Sequence, residues 1–188
     1  MRKLIVFNNL SLDGYFVDGK GNMDWAHPDR TDPDWNAFVS GNASGNGTLV
    51  MGRVTYELMI RYWPTPMAKQ HDPLVAEGMN RMSKVVFSRT LKETAWNNTR
   101  LVSVGLAGEI RRMKQESGEA MAILGSGSIV AQLTEEKLID EYHFVVNPVI
   151  LGAGRTMFEG VTQKMELRLN SSRAFKNGYV VVQYETAS

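Results

Sequence analysis

Met121-Ala122-Ile123-Leu124-Gly125-Ser126-Gly127-Ser128-Ile129-Val130-Ala131-Gln132-Leu133 is the stretch that decides how the chain is read. Four apolar residues stop at a Gly/Ser cluster, and a helical pattern begins at once. Met121 to Leu124 reads as a short buried strand, while Ile129, Val130 and Leu133 recur at helical spacing. Glycines let backbone amides approach a ligand, and the first turn of a helix carries unpaired N–H groups with a partial positive charge. The turn therefore suits the pyrophosphate of a nucleotide, with Gly125, Ser126, Gly127, Ser128 and Ile129 as candidate contacts. It is neither G-x-G-x-x-G nor a Walker A loop, since no Lys follows. A plain strand-to-helix connection is the competing reading.

Two other apolar runs end in the same way. Thr48 to Met51 stops at Gly52-Arg53, and a helical pattern runs from Val54 through Leu58 to Tyr62 until Trp63-Pro64-Thr65-Pro66 breaks it. Lys84 to Ser88 is followed by Arg89-Thr90. In parallel α/β sheets ligands bind beyond the carboxyl ends of strands. Three such ends with two arginines point to a polyanion spanning several strands. Lys3 to Asn9 is a further buried strand candidate. Asp32-Pro33 starts a helix, with Asp32 as cap, Trp35, Phe38 and Val39 as apolar stripe and Gly41 as its end. Asp72-Pro73 starts another in the same way.

Leu101 to Val104 reads as a short strand. Leu106, Ile110 and Met113 stripe the helix after it, with Gly118 as its stop. Thr134-Glu135-Glu136 reads as the first turn of a short helix, Tyr142 to Val146 as a strand, and Pro148 to Gly160 as a glycine-rich loop. Glu166 to Leu169 alternates with period two, and Asn177-Gly178 is a turn before Tyr179 to Tyr184, which gives a hairpin at the sheet edge. Strand and helix alternate through most of the chain. The expected fold is α/β and three-layered, one domain over residues 1–188. Its central, mostly parallel sheet has helices on both faces and a C-terminal antiparallel hairpin.

Composition narrows the function. The 188 residues carry a net charge of +1, so no basic surface for nucleic acid is implied. The absence of Cys excludes disulfides, thiolate nucleophiles and Cys-ligated metal. His27, His71 and His143 show no ligand spacing, and no metal is expected. The opening Met1-Arg2-Lys3 and Leu4 to Phe7 is too short an apolar run for a signal peptide, and no stretch reaches transmembrane length. A cytoplasmic protein is expected.

Four motifs in order resemble the dihydrofolate reductase superfamily. They are Ser11-Leu12-Asp13-Gly14, Gly52-Arg53-x-Thr55-Tyr56-Glu57, Gly125-Ser126-Gly127, and Pro148-Val149-Ile150-Leu151-Gly152-x-Gly154 with Phe158. The resemblance is to the branch containing the riboflavin-biosynthesis reductase domain, the C-terminal part of a bifunctional deaminase-reductase. It implies a dihydrofolate reductase-like fold and an NADPH-dependent reductase acting on a small molecule as a homodimer. It also implies that Gly52, Arg53, Thr55, Ser88 and Arg89 hold the adenine-ribose phosphate end and Gly125 to Ile129 the pyrophosphate. Guanidinium and hydroxyl donors suit a 2′-phosphate, although each arginine taken singly reads more readily as a solvated surface charge, and Thr55 reads equally as a helix cap.

By position, Asn9, Ser11, Trp25 and Phe158 are the substrate-side candidates, and Asp13 and Asp34 the candidate proton donors. Asp13 beside Gly14 also reads as an ordinary Asx turn, Asp34 as a helix-start acid, and Phe158 as a core plug. The zinc deaminase signature of the bifunctional enzyme needs Cys, so a stand-alone reductase module is expected. The loop Asn22-Met23-Asp24-Trp25 departs from the Leu/Met-Pro-Trp of folate reductases, which counts against dihydrofolate as substrate. A pterin-type reductase and a nucleotide-binding module without turnover are the alternatives.

Overall fold

The computed structural model describes residues 1–26 and 31–187; His27 lies outside them. The chain runs β1 (Leu4–Ser11), β2 (Tyr15–Asp18), a 3-10 turn (Asp24–Ala26), α1 (Pro33–Ala43), β3 (Thr48–Gly52) and α2 (Arg53–Tyr62). Then follow α3 (Pro66–His71), α4 (Pro73–Arg81), β4 (Ser83–Phe87), β5 (Thr99–Val102), α5 (Leu106–Gln115), β6 (Met121–Leu124) and α6 (Gly127–Glu135). The chain closes with β7 (Glu141–Asn147), β8 (Gly154–Thr156), β9 (Leu167–Ala174) and β10 (Val180–Thr186).

Eight strands form one sheet in the order β5-β4-β3-β6-β1-β7-β10-β9. It is parallel from β5 to β7 and antiparallel over β10 and β9. Period-two alternation sorts the side chains of each strand onto two faces. Val6, Val50, Val85 and Ile123 pack with Ile110 and Met113 of α5 and Ile129, Val130 and Leu133 of α6. Leu49, Met51 and Val86 pack on the other face with Tyr56 of α2 and Val75 and Met79 of α4. Phe7, Val145 and Val181 share that second face with Trp35 and Phe38 of α1. The expected three layers and the C-terminal hairpin are present.

Four local expectations need correction. First, α1 continues past Gly41 to Ala43. Its start is as expected, because the Asp32 carboxylate accepts the Asp34 and Trp35 N–H groups and Pro33 takes the first position. Second, the Trp63–Pro66 break ends α2 at Tyr62 as expected, but a short helix that was not expected follows it at once. The Thr65 hydroxyl caps a new helix, α3, that Pro66 begins. Third, Thr134-Glu135-Glu136 ends α6 instead of opening another helix. The Glu135 carboxylate is taken by the Thr162 and Gln163 N–H groups. Fourth, the glycine-rich loop contains β8, which pairs antiparallel with β2 in a second, two-stranded sheet.

Candidate active site

At the carboxyl ends of β3 and β6 the outgoing connections part. The chain leaves β3 through α2 toward β4, and leaves β6 through α6 toward β7, on the opposite face. Such a divergence opens a crevice where ligands of α/β sheets bind. β3 and β6 are neighbours, and β1 lies on the other side of β6, so the Gly52, Gly125 and Asn8-Asn9 positions share this edge.

The two turns are bonded to each other. The Gly52 N–H donates to Ser126 Oγ at 2.6 Å, and Ser126 Oγ lies 2.9 Å from Thr55 Oγ1. A Cβ on Gly125 would stand 2.7 Å from Thr55 Oγ1, and its φ of +57° is in the left-handed region, so glycine is required there on both counts. Ser126 itself has φ +58° and makes no helix cap. Its side chain is spent on the neighbouring turn. Ser126 and Thr55 bring two hydroxyl hydrogens, and their mutual bond uses one. Whichever of them donates, one O–H is left to point elsewhere.

The backbone adds donors. Ile129 and Val130 N–H both bond the Ser126 carbonyl, and no acceptor for the Gly127 or Ser128 N–H is found among the described residues. The Gly125 N–H is already held by Asn8 Oδ1 at 2.6 Å, so it braces the turn rather than offering a contact. Gly127 has a packing reason of its own. A Cβ there would meet the Phe16 ring at 2.8 Å, so β2 closes over the first residue of α6.

The two arginines stand at the ends expected of them, with different partners. Arg53 begins α2 and forms an exposed pair with Glu57 one turn on, at 3.0 Å. Arg89 is exposed after β4. Ser88 Oγ accepts the Thr90 and Leu91 N–H groups and so closes its own turn. That turn's far end is pinned by Tyr56 Oη, which accepts the Ala95 and Trp96 N–H groups. Tyr56 thereby ties the Arg53 helix to the loop carrying Arg89.

Two of the expected site residues have structural duties. Asp13 is no free acid: its carboxylate accepts the Leu151 N–H at 3.1 Å and the Gly152 N–H at 2.8 Å. The Ser11 hydroxyl and those two amides hold its carboxyl below the usual range, against the opposing effect of desolvation. Ser11 is buried, and its Oγ accepts the Tyr15 N–H. With Leu12 N–H bonding the Val149 carbonyl, Ser11 and Asp13 knit the β1–β2 turn to the loop after β7. Both brace turns, and the donors on Asp13 favour its ionised form.

Phe158 is the second of these. Its ring packs on Tyr142 and Phe144 at 5.8 and 6.0 Å, on the α6 face of β7. Asn9 lies on the opposite, α1 face, two residues on from Phe7. Trp25 sits half-buried in its own turn, with its indole N–H on the Asn22 carbonyl.

What remains on the α1 face beyond β1 is Asn9, Asn147 and Asp34. Phe7 of β1 and Phe38 of α1 have ring centroids 6.4 Å apart. Asn9 is roughly 7 Å further along β1. Asp34 is roughly 6 Å toward the start of α1, which runs antiparallel to β1. These two steps bring Asn9 and the first turn of α1 to the same end of the sheet. Sequence reading missed Asn147, which is fully buried, and whose Oδ1 has no partner among the described residues. Such an atom costs about 1–3 kcal/mol. Its signal was a polar residue closing an apolar strand. Asn8 and Phe16 were missed as well, the first inside a strand and the second as one apolar residue among many.

A model of the RibD C-terminal domain matches residues 2–181. The chain belongs to this family. The reductase-like RibD domain therefore spans nearly all of it. The uncharacterized Bacillus subtilis (strain 168) protein YyaP is 29% identical over 188 residues, covering 97% of this chain and 94% of that one. A second uncharacterized protein of that strain, YwjB, is 27% identical over 174 residues, covering 93% and 92%. A solved structure from Shewanella sp. PV-4, named for riboflavin biosynthesis, superposes with a TM-score of 0.73 at 23% identity and covers 99% of both chains. A pyrimidine reductase-like protein from Corynebacterium diphtheriae gives 0.65 at 14% identity, covering 100% of this chain and 92% of that one. The structural likenesses establish the dihydrofolate reductase-like fold. Among the described residues no helix is long and apolar enough to cross a membrane, and no cluster of His, Cys, Asp or Glu is arranged to hold a metal.

Proposed function

We propose that this RibD-type domain is an NADPH-dependent reductase of a small heterocycle, resembling the reductase of riboflavin biosynthesis that acts on a phosphoribosylamino-pyrimidine. The observation that carries the reading is the clasp between β3 and β6. One spare hydroxyl hydrogen on the Ser126–Thr55 pair and the Gly127 and Ser128 N–H groups stand at one edge, which is the donor set a pyrophosphate needs. Arg53 and Arg89 flank it on the adjacent strand ends and would hold a 2′-phosphate. The residues thus fit the dinucleotide. NADPH, when bound, supplies the hydride.

The chain's own contribution is positional. Ser126 and Thr55 fix the spacing of the two turns. Phe16 shields the start of α6. Asp34, the one candidate acid left with no bracing duty, stands by the mouth on α1 as the proton source. Arg53 must leave Glu57 to reach a phosphate, so Glu57→Gln should tighten NADPH binding and leave NADH unchanged. Arg53→Ala with Arg89→Ala should erase the preference for NADPH over NADH. Cofactor fluorescence titration reads both. A flat titration of the wild-type protein at millimolar NADPH ends the proposal. A cytoplasmic homodimer completes the reading. Light scattering on the purified chain tests the dimer, and β9, exposed along its whole length, is one of the two edges of the sheet.

A further inference from the structure

Asn147 lies at the carboxyl end of β7, fully buried. Its Nδ2 is 2.9 Å from the Val145 carbonyl, 3.1 Å from the Leu10 carbonyl and 3.1 Å from Asn9 Oδ1. Two of these three neighbours are backbone carbonyls, which only accept. They fix which end of the Asn147 amide is nitrogen. With that end settled, the Asn9 atom facing it must be the acceptor oxygen. The Asn9 amide is therefore oriented as well, with its NH2 turned away from Asn147. No acceptor for that NH2 is found among the described residues, and Asn9 is only half-buried. It sits on the α1 face of β1, two residues beyond the Phe7–Phe38 contact and on the side of the Asp34 turn. An oriented donor pair on a half-buried residue at the carboxyl edge of the sheet, just beyond an aromatic contact, is a candidate recognition element.

We infer that Asn9 is a specificity-determining residue that donates an N–H to a carbonyl oxygen of the substrate, and that Asn147 is its positioning residue. The inference rests on the reductase reading for the location of the substrate. It goes beyond that reading in naming the polarity of the contact. The substrate presents an acceptor at this point, and an analogue with an amine there is refused. Recognition of this kind discriminates strongly, because a mismatched partner leaves two donors facing each other without water.

The test uses the full-length protein and two probes that differ at one position, isocytosine, with a ring carbonyl, and 2,4-diaminopyrimidine, with an amine in its place. Binding is measured calorimetrically with and without saturating NADP+. Wild type should prefer isocytosine by about tenfold or more. Asn9→Asp keeps the oxygen that accepts from Asn147 but replaces the donor with a second oxygen, so the preference should invert. Asn147→Asp should invert it too with Asn9 unchanged, since Asn9 must then rotate to donate inward. That variant buries a carboxyl, so its fold is checked by circular dichroism, and the surface-reachable Asn9→Asp carries the test if it fails. A role confined to packing would weaken both probes together and leave their ratio alone. An unchanged ratio in Asn9→Asp overturns the inference, as does failure of wild type to bind either probe at millimolar concentration. Either result leaves the cofactor reading intact if NADPH still binds, and loss of NADPH binding alone strikes that reading instead.

Discussion

Replacing Ser126 separates two effects that meet at one residue. In Ser126→Ala the Gly52 N–H loses the oxygen it reaches at 2.6 Å, and Thr55 loses its 2.9 Å partner. An unmade bond at a part-buried donor costs about 1–3 kcal/mol, and the hydroxyl pair adds about 1 kcal/mol. The expected destabilisation is therefore about 2–4 kcal/mol, with about 2–4 °C of Tm lost for each kcal/mol in a domain of this size. Ser126→Gly loses the same bonds. It also relieves a left-handed backbone at φ +58°. That relief is about 1–2 kcal/mol, of which about 0.4–1 kcal/mol returns through the greater freedom of glycine in the unfolded chain. Glycine should thus exceed alanine by roughly 0.5–1 kcal/mol while both fall below wild type. Urea titration followed by tryptophan fluorescence measures this, provided the slope is unchanged among the three proteins. On the proposed reductase reading both variants should also bind NADPH more weakly, and equally so, since the one spare hydroxyl hydrogen then sits on a Thr55 that has lost the partner aiming it, while the glycine turn is kept. The reasoning is refuted if alanine matches wild type, or if alanine is the more stable of the two.

Gly127→Ala should destabilise by about 1–3 kcal/mol through the Phe16 clash, and Phe16→Leu in the same chain should recover much of it, both read by thermal melting. Asp13→Asn should accelerate hydrogen exchange at Leu151 and Gly152 and, on the proposed reductase reading, leave the pH profile of turnover unmoved. The Asp13 carboxyl sits below its ordinary 3.8, so in wild type its bracing is complete above that value and is lost as pH falls through the lower, folded value. Lys84, fully buried, donates to the carbonyls of Met79, Asn80 and Met82, and burial pulls it from 10.5 to about 8. Between about 8 and 10.5 the unfolded chain holds the extra proton, so stability should rise with pH across that window and be flat below it; Lys84→Met should abolish the slope.

What the sequence displayed, and what it hid, follows from the range of the interactions. The Asp32-Pro33 start of α1 was legible because its cap acts within three residues. The apolar runs of β1, β3, β4 and β6 were legible because burial on both faces leaves no alternation to confuse. The functional side chains depend on longer reach. Ser11-Leu12-Asp13-Gly14 and Pro148 to Gly152 were read as two motifs, yet Asp13 clamps the second from 138 residues away, so they are the two halves of one structure. A residue pattern alone gave Asp13 an acid's role, because a carboxylate beside a glycine looks the same whether its donors are a substrate or a backbone. Ser126 looked like a phosphate contact and is first a tie to β3. The polarity of Asn9 depends on Asn147, whose own polarity depends on two carbonyls of neighbouring strands. Motif order therefore points to the edge of the sheet at which the proposed site lies. It cannot rank the residues there, because that ranking depends on which donors and acceptors the fold has already used, and here Ser11, Asp13 and Ser88 are occupied while Asn9, Asp34 and the Ser126–Thr55 pair still have a group to offer.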